Sequence, residues 1–224
     1  MLSIIPSLFE HLERQPRRSP WFAGQDKATV LQSLAASPKY VADERELRTS
    51  LARRWGLTAD GVTERILKEM SDHTLVTRPP LEPTLVIDYR CDAEDGDSPL
   101  AKAADSFRFV ALVSWHPGRQ GGQDLSVLAY PGFRPAGETY HHMTPLWLGL
   151  DTNGVRTLNT QTLCPEVKEV LRDMIPVFCF GVALTLHVLA TPGCSITAAQ
   201  GPSIRIGTYT LDPATVYKPE IGGA

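Results

Sequence analysis

The fold prediction begins from DERELRTSLARRWGLTADGVTERILKEMSDHTLVTR, the stretch from Asp43 to Arg78. Asp43 is followed three residues later by Glu46, which is the spacing of a capping box at the start of a helix. The apolar residues that follow recur every four positions and give this helix one apolar stripe: Leu47, Leu51 and Trp55. Gly56 comes next, and because glycine adopts positive φ without steric cost, we expect the helix to end there.

A second helix is predicted directly after this turn. Thr58 is placed to cap it, and its apolar positions again lie four residues apart, at Val62, Ile66 and Met70. Its outward face would carry mainly polar residues, namely Asp60, Thr63, Glu64, Arg65 and Lys68. The segment therefore predicts a helix, a tight turn, a second helix and then a short strand.

This pattern resembles two parts of a known fold. The residues Leu51-Ala52, Trp55-Gly56-Leu57 and Val62 are similar to the helix-turn-helix of bacterial repressors. The passage from Leu67 to Arg78 resembles the region that joins recognition helix and wing in winged-helix regulators. The resemblance covers about residues 27–90, and it implies a winged helix-turn-helix fold rather than a particular function.

One residue departs from the repressor pattern. Arg65 stands where such repressors usually bury an aliphatic side chain, so Ile66 is expected to take the buried position. The third helix of the module would be Lys27–Ala36, and its wing would be formed by strands at Thr74–Arg78 and Thr84–Arg90. Residues 1–26 are predicted to form a helix, Leu2–Arg14, and a connecting arm.

The remaining residues predict a second domain, 98–224, after an acidic loop near residues 91–97. Its strands are expected at residues 107–115, 125–130, 145–150, 155–158 and 203–211, with a helix at 164–175. Residues 178–189 favour a buried strand, although their apolar run also fits a helix. The predicted fold class is α+β: an N-terminal winged helix-turn-helix followed by a mixed, mainly antiparallel β-sheet domain with one or two helices.

Composition favours a soluble globular protein, with 42% hydrophobic and 21% charged residues. The most apolar stretch, Ile175–Leu189, falls short of the roughly 20 residues that span a bilayer, so we expect no membrane association and a cytoplasmic location. The four cysteines have no C-x-x-C spacing, which predicts reduced thiols rather than a zinc ribbon or a redox pair.

The charge is divided unevenly along the chain. Residues 1–80 carry 12 Lys and Arg against 10 Asp and Glu, and residues 81–224 carry 10 against 15. A nucleic-acid-binding module usually has a larger basic excess, because contacts with phosphates supply much of its affinity. Residues 177–224 contain only four charged side chains, which is typical either of a domain core or of a surface buried against another subunit.

Motifs for catalysis are absent from the sequence. There is no G-x-S-x-G and no G-K-[ST] loop, so no catalytic residue and no cofactor are predicted. The candidates for a metal site or a general base are histidines in or beside predicted strands: His116, His141, His142 and His187. Adjacent residues of a strand point to opposite faces, so His141 and His142 would not join one site. Cys91, with His141 or His142 and with Asp151, would suit a thiol hydrolase in residue type alone.

Three functional hypotheses follow. The first is a regulator that binds double-stranded DNA through its winged helix and senses a ligand or dimerises through residues 98–224. Its second helix would enter the major groove, where Thr63 and Arg65 would lie nearest to the base edges. Arg53, Arg54, Lys68 and Arg78 would reach phosphates, and Thr58 completes the predicted interface. The second is a non-enzymatic assembly subunit of a defence, chromosome-maintenance or phage complex, with a winged helix that binds protein. The third is a hydrolase or metal enzyme built on His and Cys residues of the C-terminal domain.

Overall fold

The computed structural model of the chain describes residues 3–72, 83–91, 107–117, 123–133, 141–151, 154–158, 165–191, 196–197 and 202–217. The α-helices are α1 (Ile5–Arg14), α2 (Lys27–Ala36), α3 (Glu44–Trp55), α4 (Ala59–Ser71) and α5 (Pro165–Ala190), and a short 3-10 helix spans Pro20–Phe22. The strands are β1 (Lys39–Asp43), β2 (Thr84–Arg90), β3 (Phe107–Pro117), β4 (Gln123–Phe133), β5 (His141–His142), β6 (Leu146–Asp151), β7 (Gly154–Thr157), β8 (Ile196–Thr197), β9 (Ile204–Ile206), β10 (Tyr209–Leu211) and β11 (Thr215–Tyr217).

One mixed sheet organises these elements. Its strand order is β7-β6-β4-β3-β2-β1-β11-β8, and β5 adds to the edge of β4 beside β6. β1 runs parallel to both of its neighbours, and the other pairs of the sheet are antiparallel. A mixed α+β architecture with a mainly antiparallel sheet is therefore confirmed.

The sequence of β2 shows why both faces of the sheet are covered. Leu85, Ile87 and Tyr89 point to one face, whereas Val86 and Asp88 point to the other, and all five are buried. Successive side chains of a strand alternate between faces, so burial at every position requires a layer of other elements on each side. We call the two sides the α5 face and the α1 face.

Different helices cover the two faces. On the α5 face, α3, α4 and α5 pack over Leu85, Ile87, Tyr89 and the matching residues of β3, β4 and β6. On the α1 face, α1, α2, the 3-10 helix and the β9–β10 hairpin pack over Val86 and the alternate positions of β3 and β4. The buried stripe of α1 consists of Ile5, Leu8, Phe9 and Leu12.

The local signals in the Asp43–Ser71 region are confirmed. The Asp43 side chain accepts from the backbone N–H of Glu46, and Gly56 ends α3 with a φ of 67°. Thr58 caps α4 by accepting from the N–H of Gly61. Because α3 and α4 are joined through this left-handed glycine, the pair turns sharply and buries Leu51, Val62 and Ile66 in a common core.

The tertiary arrangement of a winged helix is not confirmed. α2, predicted as the third helix of the module, packs on the α1 face, and α3 and α4 pack on the α5 face. β2 is a strand as predicted, but Val86–Arg90 pairs with β1 on one edge and with β3 on the other. It therefore lies inside the sheet instead of forming an exposed wing with Thr74–Arg78, which lies outside the described residues.

The predicted division into residues 27–90 and 98–224 is crossed by the sheet. β1 and β2, from the first segment, occupy positions between β3 and β11, from the second. The parallel pairing of β1 with β11 joins residues that are far apart in the sequence, and such non-local pairing has no local sequence signal. The loop near residues 92–97, where the boundary was expected, lies outside the described residues.

Two elements of the C-terminal half differ from their predictions. Residues 178–189 are helical rather than extended, because α5 continues through Pro176 to Ala190. Residues 203–211 form the β9–β10 hairpin rather than one strand, and Gly207 supplies the positive φ of 58° at its turn. Within the described part of the chain, no helix combines the length and apolar character that would let it cross a membrane.

Gly181 provides a test of how tightly α5 packs on the sheet. A Cβ atom there would lie 2.8 Å from Cζ of Phe109 and 2.9 Å from Cε1 of Tyr89, two stacked and fully buried rings. We expect Gly181→Ala to lower the free energy of unfolding by about 1–3 kcal/mol, because overpacking outweighs the helix-propensity gain of up to about 1 kcal/mol.

The matched control is Gly61→Ala in α4, where the nearest atom to the new Cβ is Oγ1 of Thr58, at 3.4 Å. This variant should be as stable as the parent or more stable by up to about 1 kcal/mol. Urea unfolding of both variants makes the comparison, and a Gly181→Ala protein as stable as the Gly61→Ala protein would contradict the close packing of α5.

Candidate functional sites

The first candidate site is the outward surface of α3 and α4, which we call the α3–α4 corner. Val62 and Ile66 turn one side of α4 into the core, where neither is exposed. The opposite side of α4 faces outward and carries Asp60, Glu64 and Lys68. The corner therefore presents a helix on the protein surface, as the sequence predicted, although on a different tertiary scaffold.

The residues predicted to lie nearest to bases make contacts within the protein. Thr63 donates its hydroxyl to the carbonyl oxygen of Ala59, at 3.2 Å. Arg65 donates to Oε1 of Glu69 at 3.1 Å, and its guanidinium carbon lies 4.2 Å from the centroid of the Trp55 ring. Thr58 uses its hydroxyl oxygen to cap α4. These contacts hold the three side chains to the helix pair itself.

The residues predicted to reach phosphates are arranged differently. Arg53, Arg54 and Lys68 are all exposed, and none of them forms an ion pair with another described residue. They lie at the end of α3 and on the outward side of α4. Arg78, the fourth predicted contact, lies outside the described residues.

Apolar side chains are also exposed at this corner. Leu57, in the turn, is 41% exposed, and Leu67, on α4, is 45% exposed. Two carboxylates lie on the same side of α4, at Asp60 and Glu64, and Asp60 approaches Arg48 at 3.5 Å. The outward surface is therefore mixed, with exposed leucines, basic residues and acidic residues together.

The histidines predicted as metal candidates do not come together. His116 lies 2.9 Å from the hydroxyl of Ser126 near one end of the sheet, and His187 in α5 lies 2.8 Å from Oε2 of Glu69. His141 and His142 form β5, where His141 is exposed and His142 is half-buried. Among the residues that the structure describes, no group of three or more His, Cys, Asp or Glu side chains is arranged to hold a metal ion.

A second candidate site lies on the α1 face, around His142. Nε2 of His142 is 2.7 Å from Oγ of Ser7 in α1. The ring of His11, one helical turn after Ser7, has its centroid 6.1 Å from that of His142 and 4.2 Å from that of Trp21. Sequence reasoning identified His142 but missed Ser7 and His11. Their signal was the four-residue spacing of polar side chains beside the apolar stripe of α1, at Ser3, Ser7, His11 and Gln15.

The environment of this site favours the neutral form of both imidazoles. Burial, followed by the charges of His11 and His141, lowers the pKa of His142 to about 4. Burial and then Arg14 lower the pKa of His11. A neutral imidazole has one nitrogen able to accept a proton, so His142 can accept the hydrogen bond of the Ser7 hydroxyl when its own proton is on Nδ1.

The environment of Cys91 does not support the thiol-hydrolase hypothesis. Burial, followed by the charge of Glu44, raises the pKa of the Cys91 thiol well above its ordinary value. The reactive form of cysteine is the thiolate, which a raised pKa suppresses. Cys91 therefore has the properties of a structural thiol, and the same direction holds for Cys179, whose pKa burial raises to about 12.

The lowered pKa of His142 gives a prediction for stability. In the unfolded chain His142 binds a proton near its ordinary pKa of about 6.5, but in the folded protein it binds one only near pH 4. Its contribution to the free energy of unfolding is therefore constant above about pH 6.5 and falls as the pH decreases toward 4. We expect His142→Gln to flatten the decrease between about pH 7 and pH 4.5.

Urea unfolding at several pH values measures this effect, with His116→Gln as a control at an exposed histidine elsewhere on the sheet. The raised pKa of Asp88 acts in the opposite direction, since burial of that carboxyl favours its protonated form. Because the parent and both variants contain Asp88, comparing their pH slopes cancels its contribution. Equal slopes for His142→Gln and the parent would contradict the assigned environment of His142.

Comparison with known proteins gives no further assignment. The chain matches no model of a protein family, no curated protein sequence and no solved structure.

Proposed function

We propose that the chain is a protein-binding subunit of a larger assembly and that the α3–α4 corner is its docking surface. The observation that carries this proposal is the exposure of Leu57 and Leu67, at 41% and 45%, among charges of both signs. Exposed apolar side chains among charged ones are typical of a protein–protein interface. Exposed leucines, in contrast, contribute nothing to the binding of DNA phosphates.

The charges at the corner indicate the chemistry of the partner. Arg53 and Arg54 would face acidic residues of the partner, whereas Asp60 and Glu64 would face basic ones. Leu57 and Leu67, ten residues apart in the sequence, would each be covered by an apolar side chain of the partner. The partner is therefore a protein segment that carries apolar, acidic and basic side chains.

DNA binding is the second candidate function. It is favoured by the exposure of Arg53, Arg54 and Lys68, which form no ion pair within the described part of the chain. It is opposed by Asp60 and Glu64, since carboxylates on the helix that enters the groove would repel phosphates. It is also opposed by contacts within the protein. Thr63 donates to Ala59, and Arg65 contacts Glu69 and Trp55, so both predicted base-contacting side chains are already engaged.

Homo-oligomerisation through the C-terminal half stays a prediction. The strand at one edge of the sheet, β7, pairs only with β6 among the described strands. Val155 is 47% exposed there, and Leu158, just after the strand, is 39% exposed. An edge strand with exposed apolar side chains is where pairing with a second copy would occur.

The test begins by identifying what touches the corner. A photo-crosslinking amino acid placed at Lys68 in the full chain, in cells that make it, should attach to one defined protein segment with the charge pattern described above. With that partner purified, Leu57→Ser combined with Leu67→Ser should raise its Kd at least about tenfold, because two buried apolar side chains are lost. Ile204→Ser, at an equally exposed apolar residue in β9, should leave the Kd unchanged.

Binding to random duplex DNA tests the second candidate function. A DNA-binding protein with three phosphate contacts would give a log–log salt slope near −2.7, and near −3.6 if Arg78 adds a fourth, at about −0.9 per contact. Such a slope, its loss in Arg53→Glu combined with Arg54→Glu, and normal binding by the double leucine variant would reject the protein-docking proposal in favour of DNA binding.

A further inference from the structure

The second site, on the opposite side of the sheet, supports an inference that goes beyond the proposed function. We propose that Ser7 and His142 form a nucleophile–base pair that hydrolyses small carboxylic esters. The Ser7 side chain is exposed, and its Oγ lies 2.7 Å from Nε2 of His142. A hydroxyl within hydrogen-bond reach of a neutral imidazole is the arrangement that activates serine nucleophiles.

Three elements of the fold hold this pair together. β5 pairs with β4 and places His142 opposite Gly132, on the α1 face of the sheet. α1 carries Ser7 in its first turn, and its buried stripe holds the helix against that face. The start of α1 is fixed by Asp88, which accepts from the N–H of Ile4 at 2.7 Å and from the hydroxyl of Ser3 at 2.9 Å.

The surroundings suit an ester with an uncharged, planar group. Trp21 is half-buried and lies edge-on to the ring of His11, so an aromatic surface lies one helical turn from the nucleophile. The N–H groups of Ile4 and Ile5 are already used by Asp88 and Ser3, and Pro6 has none. The backbone N–H of Ser7 is therefore the first-turn donor that remains to stabilise the oxyanion when Ser7 attacks a carbonyl. The expected substrates are therefore small esters whose acyl or aryl group is uncharged.

The reaction proceeds in two balanced steps. Oγ of Ser7 attacks the carbonyl carbon and forms a new C–O bond, while its proton passes to Nε2 of His142. The bond to the leaving alcohol then breaks, and that oxygen takes the proton from His142. In the second step, water gives a proton to His142 and attacks the acyl carbon. The bond to Oγ breaks, Ser7 recovers the proton, and a carboxylic acid is released.

The pH dependence distinguishes this pair from an ordinary histidine base. The titratable groups that act on His142 are His11 on α1 and His141 on its own strand, and both disfavour its protonated form. The rate should therefore rise with pH around 4 and reach a plateau well below pH 6.5. An unperturbed imidazole would instead give half of the maximal rate near pH 6.5.

The experiment uses the purified full chain with p-nitrophenyl acetate and with a fluorophosphonate probe. Ser7→Ala should reduce ester hydrolysis at least about 100-fold and abolish labelling, and His142→Gln should slow both about 100-fold or more, because the general base is lost. Ser71→Ala, at an exposed serine at the end of α4, should match the parent. Circular dichroism checks that each variant folds.

The position of the covalent adduct decides the outcome. Mass spectrometry should find the acetyl or phosphonyl group on the peptide that contains Ser7. An adduct on a histidine or on another serine, or a parent protein that is neither labelled nor faster than Ser7→Ala, would overturn the proposal. Because the α3–α4 corner takes no part, the double leucine variant should keep the activity, so failure of either proposal leaves the other distinguishable.

Discussion

The position of α1 depends on a buried carboxylate in the middle of the sheet. Asp88 is fully buried in β2, and its Oδ1 accepts from Nη2 of Arg108 at 2.8 Å, while its Oδ2 accepts from Ser3 and Ile4. Burial raises the pKa of this carboxyl, and the Arg108 charge and the hydrogen bonds from Ile4 and Ser3 offset part of that rise. Removing one partner of such a pair commonly costs about 3–5 kcal/mol, so the start of α1 has little freedom to move.

This constraint links the fold to the histidine site. The helix that Asp88 holds in place carries Ser7 one turn later and His11 two turns later, on the polar side that meets β5. The 2.7 Å contact between Ser7 and His142 is thus a consequence of where the sheet places Asp88. The two candidate sites lie on opposite faces, and the central strands β2 and β3 contribute side chains to the cores beneath both.

Local signals in the sequence were sufficient for the helices of the α3–α4 corner. A cap at Asp43, a left-handed glycine at Gly56 and a cap at Thr58 each act within a few residues, and all three are confirmed. The side of the sheet on which α2 packs, and the pairing of β1 with β11, depend on residues distant in sequence. No local pattern contains that information, so the sequence predicts the helices but not their arrangement.

The strand β2 did contain a signal of its buried position. In TLVIDYR the apolar residues occupy successive positions instead of alternating ones, and this is typical of a strand covered on both faces. Asp88 interrupts the run and makes it resemble the half-exposed strand of a wing. A carboxylate can occupy such a position only when the fold brings it donors, and here those donors come from residues 3, 4 and 108.

The charge pattern of the corner follows from how α4 packs. Arg65 lies over Trp55 and pairs with Glu69, and Glu69 also contacts His187 of α5, whose ring meets Trp55 edge-on at 5.4 Å. The arginine of α4 thereby packs against Trp55 of α3, although its side chain is still 51% exposed. Asp60, Glu64, Leu67 and Lys68 are exposed on the same helix. This mixture of acids, cations and a leucine favours the proposed protein docking over binding to the phosphates of a duplex.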